Sequence, residues 1–87
     1  MTELPDASLQ VLVSTFATQA AVSLGQIANP ATNETEVDLP QAKFAIDLLQ
    51  VLEDKTKNNR TKEEDEFLAS CLYQLRMVYI DKQSGKE

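Results

Sequence analysis

Apolar positions recur at helical spacing along three stretches of the chain. In the first, about residues 6–24, Leu9, Leu12, Val13, Phe16, Ala20 and Leu24 share one face, as a period near 3.6 requires. Asp6 is placed to cap its start, where a carboxylate suits the free N–H groups. Gly25 is placed to end it in the left-handed conformation. The second stretch, about 39–56, is apolar over most of its circumference: Ala42, Phe44, Ala45, Ile46, Leu48, Leu49, Val51 and Leu52. Its polar residues Lys43, Asp47, Gln50 and Asp54 fall at spacings of four, three and four, which makes one narrow wet stripe. Asp38 with Gln41 three residues on has the spacing of a capping box, and Pro40 is tolerated in a first turn. The third stretch, about 62–81, opens on Thr61-Lys62-Glu63-Glu64, the S/T-x-x-E capping signature. Leu68, Cys71, Leu72, Leu75, Val78 and Tyr79 make its face, flanked by Phe67, Ala69, Tyr73, Met77 and Ile80. The polar tail beyond it, 82–87, is expected to fray.

The pattern predicts an all-α domain of three helices spanning the chain. A short turn makes the second and third helices an antiparallel hairpin, with the N-terminal helix packed on it or on a symmetry mate. Residues 25–38 form a connector longer than the ~2–8 residues usual between helices. Asn29-Pro30 marks a turn within it. The plain expectation is that this segment spans the distance between two helix ends.

The second and third helices carry more apolar surface than one facing partner covers. Ala42, Ala45, Leu49 and Leu52 can face one neighbour; Phe44, Leu48 and Val51 then need another. The first helix adds a second anomaly, for no charged residue occurs from Ala7 to Asn33. Solvated helix faces normally carry Lys and Glu, so this helix is expected to be largely enclosed, by a second subunit. A bundle completed by oligomerisation follows, as a homodimer or a dimer of dimers. Leu12, Phe16, Phe44, Leu48, Val51 and Tyr73 are its candidate contact residues; another protein could take the same place.

Composition narrows the chemistry. The 87 residues include one cysteine and no histidine. A Cys/His metal site cannot be built from that set, and the usual general base near neutral pH is missing. No metal, cofactor or catalytic residue is expected. Cys71 falls on the apolar face of the third helix, where thiols are normally inert. Adjacent carboxylates such as Glu53 and Asp54 point about 100° apart on a helix and do not converge on a substrate. A net charge of −6 disfavours nucleic acid and anionic lipid. No apolar run approaches the ~18 residues that span a bilayer. The opening residues carry two acids and no Lys or Arg, unlike a secretory leader, so the cytoplasm is the expected compartment.

One basic cluster interrupts the acidic chain. Lys55, Lys57, Arg60 and Lys62 lie within eight residues that hold no acid. They are a candidate site for a small anion or a phosphorylated partner. The plainer account is that cations complement the end of one helix and the acidic start of the next. Asp47 and Arg76 stand as charges in leucine-rich surroundings. Counting about the turn places Arg76 more than a helical turn beyond Asp47 at ~1.5 Å per residue, so an intrachain pair is expected to be strained while a pair between subunits stays open.

Taken together, Ile46-Asp47-Leu48-Leu49, then Lys55-Thr56-Lys57-x-Asn59-x-Thr61-x-x-Glu64, then Leu75-Arg76-x-x-Tyr79 form a recognisable string. It resembles the small bacterial family known as domain of unknown function 1844, over roughly residues 9–80. Leu24-Gly25, Asn29-Pro30 and Asp38-Leu39 fit the same pattern. Two positions depart from it: Asn58 stands where glycine is expected, and Arg60 where an apolar residue is expected. Asparagine is the next-best left-handed residue, so the turn can survive. The resemblance implies a cytoplasmic bacterial protein and brings no activity, substrate or cofactor.

Overall fold

The computed structural model describes residues 4–85. Three α-helices make up the fold: α1 (Leu9–Ser23), α2 (Leu39–Lys55) and α3 (Lys62–Gln83). No strand occurs among the described residues. The all-α three-helix architecture is therefore the one the periodicity predicts, with two shifts at helix ends. α1 starts later than expected, because Ser8 and not Asp6 is its cap. The Ser8 hydroxyl accepts the Val11 N–H at 3.1 Å from an extended backbone. α3 runs past the expected boundary, through Lys82 and Gln83, and Gly85 closes it at φ 80°. The tail residues 86–87 lie outside the described set.

The caps of α2 and α3 follow from sequence. Asp38 accepts the Gln41 N–H at 3.2 Å, with Pro40 in the first turn. Thr61 and Glu64 form a complete capping box, with bonds of 2.9 and 3.1 Å. α1 ends in a Schellman closure: Gln26 N–H donates to the Ala21 carbonyl at 2.9 Å and Gly25 N–H to that of Val22 at 3.1 Å. Gly25 takes φ 78° there, a region L side chains avoid.

All three helices share one core. Val13, Ala20 and Leu24 meet Ala42, Ala45, Ile46 and Leu49, together with Leu68, Leu72 and Leu75. No polar or charged side chain is buried among the described residues. α1 packs most extensively on α2, and α3 touches both. The N-terminal helix thus sits on its own hairpin.

The connector does not span a gap. The Asp38 N–H donates to the Ser23 carbonyl at 2.7 Å, so the end of α1 and the start of α2 are in direct contact. Residues 24–37 leave that junction and return to it, with Leu24 bridged to Val37 and Asn29 to Glu34. Asn29 organises the tip, its side chain accepting the Ala31 N–H at 2.8 Å and its carbonyl the Asn33 N–H at 2.6 Å. Asn33 takes the left-handed conformation at φ 62°. The excursion is an Ω-like loop, closed at its base.

Candidate interaction surface

The outer side of α2 is where the apolar pattern leaves the core. Ala42, Ala45, Ile46 and Leu49 point inward and are buried. At 100° per residue, Phe44, Leu48 and Val51 lie on the opposite side of the helix. Phe44 is 61% exposed and Val51 50%, while Leu48 is half-buried. Leu12 on α1 is 42% exposed. α3 carries a second such stripe: Tyr73, Met77 and Ile80, opposite Leu68, Leu72 and Leu75, are all exposed.

Five of the six expected contact residues therefore retain solvent-facing surface beyond the core. Phe16 differs, since it packs against the chain's own core and is partly buried. Met77 and Ile80 belong with Tyr73 on geometric grounds, and their spacing of four and seven from Tyr73 is the signal that groups them. The uncharged side of α1 is not enclosed within the chain. Ser14, Thr15, Thr18 and Gln19 are exposed. Ser14 and Thr18 line an open groove of about 330 Å³ between α1 and α3, floored by Ala17, Ala21, Leu75 and Val78.

The extent of exposure can be compared with a norm. A compact monomer of 9.7 kDa exposes about 5,100 Å² by the usual mass scaling. This chain exposes 6331 Å². The surplus of about 1,200 Å² is shared between the exposed residues 4–8, the loop and the outer helix faces. The molecule is correspondingly flat, with extents of 37 × 37 × 17 Å.

The basic turn presents its four cations unequally. Arg60 is the least exposed of its four cations, and its guanidinium is engaged on every side. Nη1 donates to the Glu53 carbonyl at 2.7 Å and to the Thr56 hydroxyl at 3.0 Å; Nε and Nη2 donate to the Asp65 carboxylate at 2.9 and 2.7 Å. It ties the last turn of α2 to the first turn of α3. The N-terminus of α3 is likewise engaged by its own capping box. Lys55, Lys57 and Lys62 are exposed. Asn58 takes φ 69°, so it fills the left-handed position where the pattern expects glycine. At the position where the pattern expects an apolar residue, Arg60 has a side chain only 12% exposed and hydrogen-bonded throughout.

Asp47 and Arg76 do not pair. Asp47 takes Lys43 at 2.8 Å, a hydrogen bond that raises the Lys43 pKa. Arg76 donates to the Gln50 side chain. Both residues nonetheless line one shallow depression with Ile46, Tyr79 and Ile80, so Arg76 does have a partner on α2. Counting Cα positions about the turn misses this because helical side chains lean toward their own N-terminus. In an antiparallel pair, Arg76 and Gln50 lean toward each other, and two long side chains close the offset.

The fold and surface define a small three-helix module with apolar residues on its outer helix faces. The family model described as Domain of unknown function (DUF1844) matches residues 6–81, and the chain belongs to that family. No curated protein and no solved structure matches it. None of the described helices is long and apolar enough to cross a membrane.

Proposed function

We infer that the protein is a non-enzymatic helical interaction module of the cytoplasm that self-associates through the outer faces of its helices. The observation that carries this reading is the outer stripe of α2, where a phenylalanine and a valine stand half or more exposed on a helix whose opposite side is already satisfied. Scattered exposed apolar residues are ordinary on monomers. A contiguous stripe at helical spacing on a chain with surplus surface marks an interface. Removing one exposed Phe or Leu side chain from water contributes roughly 1.5–3 kcal/mol, so a symmetric pair of such stripes suffices for micromolar association after the cost of joining two chains. The second stripe on α3 permits a dimer of dimers. The engagement of Arg60 inside the turn weighs against an anion site there.

The test is Phe44→Asp, which places a charge in the stripe without touching the core. Sedimentation of this variant at micromolar concentration should give a smaller particle than wild type, with an unchanged helical spectrum. An unchanged mass would remove α2 from the interface.

A further inference from the structure

We propose that the occupant of the α2 stripe is a second copy of this chain docked antiparallel. The two α2 helices cross at a two-fold axis beside Asp47 and Leu48, with Glu34 and Glu36 of one copy meeting Lys55 and Lys57 of the other. The inference rests on the reading of the stripe as a self-association surface and adds the partner's orientation and the charges that set it.

The stripe runs Phe44, Leu48, Val51, Lys55 at spacings of four, three and four, so its C-terminal end is a lysine on the same side as the apolar residues. Its other end is acidic. Glu36 lines a surface depression with Pro40 and another with Gln41, the residues that precede Phe44 on this side of α2, and Glu34, two residues earlier in the chain, is exposed. No Lys or Arg occurs from residue 5 to residue 42, so nothing in the loop or in α1 neutralises these acids. Among the described residues neither Glu34, Glu36, Lys55 nor Lys57 makes an ion pair.

The other charges near the lysines face elsewhere. Glu53 and Asp54 are rotated about 160° and 100° from Lys55 around the helix and accept hydrogen bonds from Gln50. Asp65 is held by Arg60 and Glu64 by the capping box. A parallel pairing would set Glu36 against Glu36 and Lys55 against Lys55. An antiparallel pairing sets Phe44 against Val51, puts position 40 opposite 55 and 38 opposite 57, and brings unlike charges together at both ends. Like charges juxtaposed at an interface are penalised and unlike charges fix register. A shallow crossing of about 20°, a common class for packed helices, keeps both ends within reach.

The experiment is a charge swap on the full chain at low salt. Glu34→Lys with Glu36→Lys, and separately Lys55→Glu with Lys57→Glu, should each weaken self-association about tenfold or more, through several rim pairs worth a few tenths to 1 kcal/mol each. An equimolar mixture should recover association to within about threefold of wild type, and salt near 1 M should erase the differences by screening. As a second measurement, Phe44→Cys and Val51→Cys, each in a Cys71→Ser chain, should cross-link to each other in mixtures faster than to themselves. A wild-type dimer whose swapped variants fail to rescue one another, or whose Phe44→Cys chains cross-link mainly to themselves, overturns the antiparallel arrangement and leaves the self-association surface standing. A monomeric wild type overturns both.

Discussion

Arg60 is the residue whose removal separates a structural turn from a binding turn. Its Nη1 holds the Glu53 carbonyl and the Thr56 hydroxyl, and its Nε and Nη2 hold Asp65. Arg60→Ala deletes all of these at once. The Asp65 part is worth little, about 0–1 kcal/mol, because that carboxylate is 59% exposed and water replaces the partner. The Glu53 carbonyl is part-buried at the end of α2, and leaving it poorly satisfied costs about 1–3 kcal/mol; the Thr56 hydroxyl keeps its bond to the Leu52 carbonyl. The expected loss is therefore about 1–4 kcal/mol, most of it from the α2 end. Asp65→Asn should cost the smaller part alone. Arg60→Lys should restore less than half of the loss, since the single nitrogen of an ammonium cannot reach acceptors spread around a planar guanidinium. The assay is urea unfolding at one fixed protomer concentration, because association adds to apparent stability. With a slope near 1 kcal/mol per M for a chain of this size, the Arg60→Ala midpoint should fall by roughly 1 M or more. An Arg60→Ala midpoint within experimental error of wild type, accompanied by loss of phosphate-induced amide shifts that wild type shows, would refute the reasoning and restore the anion site.

Two further outcomes follow from the same geometry. Gly25→Ala should destabilise the fold by about 1–2 kcal/mol, because φ 78° is left-handed and the new Cβ would lie 3.0 Å from Val37 Cγ2; a loss below about 0.5 kcal/mol in urea would show that the loop base relaxes freely. Burial pushes the Cys71 thiol above its ordinary 9.0, so its stabilising contribution is fully present below pH 9.0 and is lost as pH rises through the folded-state value. Alkylation at pH 7.5 should accordingly be several-fold slower than that of an unstructured thiol, and an equal rate would place Cys71 at the surface.

Helix number, order and most boundaries were legible because capping chemistry is local. Asp38, Thr61 with Glu64, and Gly25 each act within a few residues of themselves. The start of α1 was less so, since Asp6 and Ser8 are both competent caps and sequence alone does not rank them. The closed connector was hidden for a different reason. Loop length predicts a span only when the helix ends are apart, and the Ser23–Asp38 contact depends on how α1 packs against α2. Arg60 was legible only as a cation; its burial arises from tertiary placement of the Glu53 carbonyl and Asp65 around one side chain. The outer stripes were readable from period alone, because a helix apolar all round must show one side to something. Phe16 was the exception: it shares the core-facing side of α1 with Val13 and Ala20 and packs partly buried against that core, so its helical position already pointed inward.

The most direct measurement is the mass of the wild-type chain in solution, by light scattering at micromolar concentration and moderate salt. Self-association through the outer stripes gives a particle at least twice the 9.7 kDa chain mass that dissociates on dilution. A particle of single-chain mass at every concentration up to the solubility limit would contradict it.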